Sequence, residues 1–448
     1  MSTIRPLRAA RRVLGTAPIL ACAAASAPAA ALASPADNPF YQYTGSAPLS
    51  SVAPGTVLRS RTINVHLFSI KTPIKTVQLL YRSTSQTGAP TVNVTSVLLP
   101  PRRNAYSGKL ISYQSAYDSL DPRDEPSYQL AGNVTFGGLL SQLENSMLST
   151  ALLTGYTIAI PDTEGQQADF ADGPEYGMNT LDALRATFSA PETGLTATSK
   201  AAMIGYSGGA IATQWAAQMA PTYAPDVNAR LVGAAMGGVL VDPAHNLDYV
   251  SGSKTWAGVA PMAIIGTARA FGVDMTPYLS AYGLKIYAKL QKAPIAAVLA
   301  QYPGLTWKQL AKPEYPTASS VKLFVDIANQ VIMGHDGHPT IPLYIGQGAH
   351  GETEGTAGDK PGIGEGDGVM IAGDVRQLAY QYCSQGVPVY YREYPNKSHT
   401  SSTIPWAQAA IPWMLNRFGK NPSPSNCSLI TPGNPLTPMV YTPAVSAS

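Results

Sequence analysis

The stretch Ala201-Ala202-Met203-Ile204-Gly205-Tyr206-Ser207-Gly208-Gly209-Ala210-Ile211 decides how the rest of this chain folds. Its centre has the form G-x-S-x-G. The apolar run before it suits a buried strand, and Ala210-Ile211-Ala212-Thr213-Gln214-Trp215-Ala216-Ala217-Gln218-Met219 after it is helix-forming. A serine on a sharp turn between strand and helix makes a nucleophile elbow. Side chains on either side of such a turn would collide with the strand and the helix, and glycine removes the collisions. G-x-S-x-G by itself also falls in ordinary Gly/Ser turns; the strand before it and the helix after it distinguish this one. The turn leaves the Ser207 hydroxyl exposed at the end of the sheet, with the Gly208 amide beside it.

Working outward, residues 75–83 and 91–99 are β-rich and separated by Gly88-Ala89-Pro90, which predicts an antiparallel hairpin. Residues 109–114 are a further strand. Alternation then sets in, with a helix at 136–153, a strand at 156–161, a helix at 176–188, the elbow, and a strand at 231–236. Strands alternating with helices predict βαβ units and a mostly parallel sheet. No clear buried strand follows between 239 and 339. That region holds amphipathic stretches at 277–299 and 319–333 and is expected to be a helical insertion. Strand and helix resume at 341–345, 370–383, 387–394 and 406–418. The expected organisation is an α/β core from 34–238, a helical cap at 239–339, and the rest of the core with a C-terminal tail at 340–448. Residues 34–60 are Pro/Ser-rich and expected to wrap the surface.

The chain has 448 residues, 45% of them hydrophobic, enough for one large α/β domain with an insertion. A net charge of +3 with 13% charged residues gives no sign of nucleic-acid binding. Arg5, Arg8, Arg11 and Arg12 precede an alanine-rich apolar stretch, and Ala31-Leu32-Ala33 offers a cleavage site before Ser34, so residues 1–33 are expected to be an export signal. A membrane anchor fits less well, because the apolar part is short and broken by Pro18 and Pro28. Ile19-Leu20-Ala21-Cys22 loosely resembles a bacterial lipoprotein box, so lipid anchoring through Cys22 is the alternative, and Arg11-Arg12 could mark twin-arginine export. Removing 1–33 leaves Cys383 and Cys427, which an exported protein can join in a disulfide; two separate buried thiols are the alternative.

A serine hydroxyl is a poor nucleophile and needs a base held by a carboxylate. In the α/β-hydrolase arrangement the chain order is serine, acid, histidine, each after a strand. His399 follows the strand at 387–394 and precedes the last helix, where the base is expected. His66 and His245 fall in turns, and His66 also precedes the serine; His335 and His338 lie in the loop closing the insertion, and His350 comes too early for an acid to intervene. Glu352, Glu354, Asp359, Glu365, Asp367 and Asp374 are in range for the acid. Asp367, in Gly366-Asp367-Gly368 just before a helix, is the candidate and Glu365 the reserve; a plain helix cap is the other role open to Asp367. The tetrahedral oxyanion needs donors. One is expected to be the Gly208 amide. The second should come from Ser115-Ala116-Tyr117-Asp118-Ser119, where Asp118 can act through its backbone amide, through a protonated carboxyl, or both.

At this point the chain resembles the secretory lipases, a family typified by a yeast lipase of A type and with many actinobacterial relatives. The resemblance rests on Gly205-Tyr206-Ser207-Gly208-Gly209, on Tyr113-Gln114 through Asp118-Ser119, on Pro161-Asp162 to Gly165, on Leu181-Asp182 to Arg185-Ala186, and on Gly366-Asp367-Gly368 with His399. It covers most of residues 60–420. The chain departs from the yeast type in a glycine-rich run at 346–366. The resemblance implies an α/β-hydrolase with a helical cap, acting on acylglycerols or similar esters, with Asp162 structural. The expectation is a secreted serine ester hydrolase with Ser207, His399 and Asp367 as its triad. It needs no metal or cofactor, takes an ester or lipid substrate, and makes transient contact with lipid interfaces. Rivals are a serine peptidase or acyltransferase on the same scaffold and an inactive binding homologue. The stretches 261–271 and 294–299, Ile295 and Val298 among them, are expected to line an acyl pocket.

Overall fold

The computed structural model describes residues 34–419 and 421–443. The expected export signal at 1–33, with Cys22, lies outside the described residues. The frame is a nine-stranded sheet built from β1 (Val57–Leu67), β2 (Ile70–Thr84), β3 (Pro90–Leu98), β4 (Lys109–Gln114), β5 (Thr157–Pro161), β6 (Lys200–Tyr206), β7 (Leu231–Gly237), β8 (Leu343–Gly348) and β9 (Val389–Tyr394), in the order β1-β2-β3-β5-β4-β6-β7-β8-β9. The first three strands form an antiparallel meander, β3 pairs antiparallel with β5, and from β5 to β9 every neighbour is parallel.

The elbow strand shows why the parallel strands read as continuous apolar runs. Met203 packs into the core on one face of the sheet and Ile204 into the core on the other, because successive side chains of a strand point to opposite faces and both faces are covered. Three helices carry the first face: α4 (Gly173–Ser189), α5 (Gly208–Tyr223) and α12 (Ala372–Ser384), with Leu184, Trp215 and Leu378 as anchors. The second face is covered by α13 (His399–Asn416), through Trp406 and Trp413, and by α1 (Pro126–Leu130) and α3 (Ser149–Thr154), with α2 (Leu139–Met147) between the latter two. A short α6 (Pro225–Asn228) follows α5.

Between β7 and β8 the described residues form no strand. They fold into α7 (Pro243–Val250), α8 (Val259–Ala270), α9 (Ala281–Leu290), α10 (Trp307–Leu310) and α11 (Lys322–Gln330) around two apolar clusters, one of which also takes in Leu120, Phe170 and Val369 from outside this segment. Cys383, at the end of α12, is joined to Cys427 across 44 positions, tying the C-terminal tail to the core.

Several elements differ from expectation. The strand β1 was not foreseen; its sequence mixes Arg59, Arg61 and His66 with apolar residues because it is a half-exposed edge strand. It also places His66 in a strand, while His245 lies in the first turn of α7 rather than in a loop. The helix expected at 136–153 breaks at Leu148 into α2 and α3. The stretch 277–299 is α-helical only over Ala281–Leu290, ending before Pro294, with single 3-10 turns at Thr276–Tyr278 and Ile295–Ala297 on either side. The last helix begins at His399 rather than 406, since Ser398 caps it by accepting from the Ser401 amide, and it carries Pro405 and Pro412 within it.

Candidate active site

Ser207 sits between β6 and α5 with φ 56° and ψ −123°. A non-glycine residue at positive φ is strained and persists only where its surroundings hold it. Here the Ser207 amide donates to the Gly237 carbonyl at 2.8 Å. The two outer glycines of the motif are sterically required. A Cβ at Gly205 would stand 2.2 Å from the Gly209 carbonyl oxygen, and one at Gly209 would stand 2.1 Å from the Gln114 carbonyl oxygen.

The fold brings Ser207, His399 and Asp367 into one hydrogen-bonded line. His399 Nε2 lies 2.8 Å from Ser207 Oγ, and His399 Nδ1 lies 2.8 Å from Asp367 Oδ2. Asp367 is fully buried and its orientation is fixed. Its Oδ1 accepts from the Val369 and Met370 amides at 3.1 and 2.8 Å, and its backbone carbonyl accepts from the His399 amide at 2.6 Å. The second acceptor bond on Oδ2 comes from Gln347 Nε2 at 2.9 Å, while Gln347 Oε1 accepts from the Val239 amide. Sequence reasoning overlooked Gln347. Its signal was a polar side chain at the C-terminal end of the strand Leu343–Gly348, the end where sites collect in parallel sheets.

His399 is buried, which pulls its imidazole toward the neutral form. The Asp367 charge and hydrogen bond, with Glu354 and Asp118 adding to them, outweigh burial and leave it above the usual histidine range. Tyr206 packs on the ring and donates to the His399 carbonyl at 2.6 Å; Trp256 meets the ring edge-on. The remaining acid candidates fall elsewhere. Glu365 is exposed and only its backbone carbonyl is engaged, by the Ala372 amide. Asp374 pairs with His245 at 3.0 Å. Glu354 accepts from Trp256 Nε1 and from the Thr400 amide, bracing the start of α13.

Asp118 follows β4 and has φ 39°, a second strained non-glycine position. Its carboxyl is hydrogen-bonded to the Gly208 amide and lies so close to Gly208 that a Cβ there would stand 1.7 Å from Asp118 Oδ1. Burial, and then the charge of Glu144, push this carboxyl up to about 7, against the opposing pull of His399 and the Gly208 amide. Glu144, on α2, is itself pushed up to about 7 by burial; it accepts from Ser115 Oγ and, at 3.2 Å, from the Ala116 amide. Sequence reasoning missed Glu144, since nothing local ties residue 144 to residue 115.

Ser207, Gly208 and Asp118 open onto an apolar cavity walled largely by the helices between β7 and β8, including Val259, Ala263, Ile264, Ile295 and Phe324. Of the two side chains expected to line it, Ile295 does. Val298 instead is fully buried in the core of the helical region, because its turn directs it inward among Trp256 and Leu290. Among the described residues no group of three or more His, Cys, Asp or Glu is placed to hold a metal ion.

Such an arrangement can transfer a proton from a hydroxyl to a base and bind an acyl chain beside it. Residues 130–357 match the family described as Secretory lipase. Over 400 residues the chain is 30% identical to "Lipase A" of Arthroderma benhamiae, covering 86% of this chain and 80% of that protein. It is also 27% identical over 412 residues to a Mycobacterium tuberculosis protein named "Probable inactive lipase", covering 91% and 87%. The solved structure of Candida antarctica lipase A in its closed state superposes with a TM-score of 0.73 at 24% identity, covering 90% of this chain and 93% of that one, and shares the fold. With the elbow, the mostly parallel sheet and these matches together, the chain belongs to the secretory lipase family and has an α/β-hydrolase fold.

Proposed function

We propose that this protein is an exported carboxylic ester hydrolase that cleaves acylglycerols or similar esters through an acyl-enzyme. The observation that carries this is the unbroken line Asp367–His399–Ser207, two contacts of 2.8 Å, opening onto the apolar cavity. His399 takes the Ser207 proton as Oγ attacks the ester carbonyl, and Asp367 holds the imidazolium. The developing oxyanion is met by the Gly208 amide and by Asp118, whose carboxyl, when protonated, can donate. His399 then protonates the leaving alcohol, and water repeats the sequence to free the acid. The helices at 239–339 act as a cap whose inner wall takes the acyl chain, and residues 1–33 direct export.

Hydrolysis of p-nitrophenyl esters from two to sixteen carbons tests this. Activity should be measurable, and Ser207→Ala should lose a factor on the order of 10⁶ in kcat while remaining folded. Retention of a tenth of the wild-type rate would remove Ser207 from its role. Preference for anilides over esters would favour a peptidase. The relative named inactive motivates a second possibility, a binding protein on the same fold, and that protein would turn over no ester of any length.

A further inference from the structure

The α2 helix is inside out. A surface helix normally turns its apolar stripe to the core and its polar residues to water. Here Ser141, Gln142 and Asn145 are buried, whereas Leu139, Leu140 and Leu143 are 37%, 39% and 50% exposed. Phe136, just before the helix, is 64% exposed. The neighbouring hairpin tip extends this face. Phe68 and Ser69 both adopt positive φ, and the Phe68 amide donates to Gln142 of α2 at 3.2 Å, leaving Phe68 44% and Ile70 71% exposed. Contiguous exposed apolar groups of this size mark interaction surfaces on soluble proteins.

Two features identify the partner. The first is charge. From Pro126 to Pro161 the sequence holds one ionisable acid or base of the Asp, Glu, Lys, Arg or His type, Glu144. Its carboxyl points inward to the Ser115–Ala116 loop, so the helix offers a partner apolar contact without charge; at the hairpin tip the exposed Lys71 follows Ile70, and its long side chain can reach a polar headgroup layer. The second is continuity with the cavity. Glu144 holds the loop that leads to Asp118. At the other end of the helix, Gly137 packs so tightly on Pro294 that a Cβ would stand 2.5 Å from it. Pro294 bridges to Ser119, and the next residue, Ile295, donates its amide to the Asp118 carbonyl at 2.8 Å and lines the cavity.

We propose that the outer face of α2, with the Phe68–Ile70 hairpin tip, docks on an uncharged lipid–water interface and sets the cavity against it. The nature of the lipid, an ester surface, rests on the hydrolase activity proposed above. The inverted helix then has a reason: its leucines insert into the lipid, while Glu144 on its polar side holds the Ser115–Ala116 loop.

Binding is tested separately from catalysis by using the full chain carrying Ser207→Ala. Flotation with a triolein emulsion stabilised by phosphatidylcholine measures partition. Leu140→Ser with Leu143→Ser should lower it about tenfold or more, since removing two inserted leucines takes away most of their transfer free energy. Phe68→Ser with Ile70→Ser, on a different element, should do the same and decides the matter if the first variant does not fold. With Ser207 restored, both variants should hydrolyse soluble p-nitrophenyl butyrate within about twofold of wild type while losing emulsified triolein turnover in step with partition. Partition equal to the parent in both variants overturns the proposal. So does a parent dimer that the variants split without any change in partition, which would make the face an interface between copies. If the wild type hydrolyses no ester, the catalytic reading fails, and the flotation result still decides the docking surface by itself.

Discussion

In the proposed mechanism Asp118 and His399 make opposite demands on pH. Burial and the Glu144 charge raise the Asp118 carboxyl to about 7, so it is protonated and able to donate below that pH and loses the proton above it. His399, held above the ordinary histidine range of about 6.5 by Asp367 against the effect of burial, is a base only once it is neutral, on the alkaline side of that shifted value. The pH profile of kcat/KM should therefore be a narrow bell: the acid limb belongs to His399 and lies above pH ~6.5, and the alkaline limb belongs to Asp118. Asp118→Asn, which keeps a donor that does not titrate, should flatten the alkaline limb; Asp118→Ala should cut kcat by roughly 10²–10³ with little change in KM. If both variants follow the wild-type curve, the loop contributes only its backbone. Asp367→Asn should lower kcat by about 10⁴, since the wrong tautomer is then held against Ser207. A rate within tenfold of wild type would show that Asp367 does not orient the base.

Elements explain what was legible in the sequence and what was not. The elbow could be read because its steric demand is local: Gly205 and Gly209 face each other and the Gln114 carbonyl across one turn. Gly209→Ala should cost at least ~1–3 kcal/mol in urea denaturation, because both colliding groups are backbone and cannot rotate away; an unchanged midpoint would contradict that. Asp367 and His399 could be picked out because each follows a strand in a fixed order, and the fold places them in contact. Gln347 and Glu144 escaped because their partners are distant in sequence, twenty positions for Gln347 and Asp367, twenty-nine for Glu144 and Ser115. The start of α13 was misplaced because Pro405 reads as a helix boundary, whereas the Ser398 cap starts the helix upstream of it. In the cavity wall, Ile295→Trp should shift chain-length preference toward short esters while sparing acetate; the same substitution at Val298 should destabilise the helical region instead, because that side chain is in its core. Unchanged preference in Ile295→Trp would remove that residue from the acyl path.

At the scale of the whole molecule, acids are buried in unusual number around the C-terminal ends of β4 and β5. Burial raises Asp169 to about 8 and Glu175 to about 7, and lifts Glu125, Asp162, Glu164 and Asp172 as well. In the unfolded chain these groups titrate near ~4. The native state therefore binds more protons, and the stability they contribute is present below pH ~4 and declines as pH rises toward 8. Thermal denaturation should give a higher Tm at pH 5 than at pH 8; the reverse order would mean that these carboxyls are charged in the fold. The Cys383–Cys427 bridge closes a loop of 44 positions, worth about 4 kcal/mol on the chain-entropy account, so replacing both cysteines by alanine should lower urea stability by that order, and no loss would contradict it. The claim that unites these features is that the folded protein presents one activated serine. The most direct measurement is the intact mass of the protein after treatment with a p-nitrophenyl alkylphosphonate. A single phosphonyl adduct on Ser207, formed in step with loss of esterase activity and absent from Ser207→Ala, is the predicted result. No adduct on a correctly folded protein, or an adduct on another residue, would contradict it.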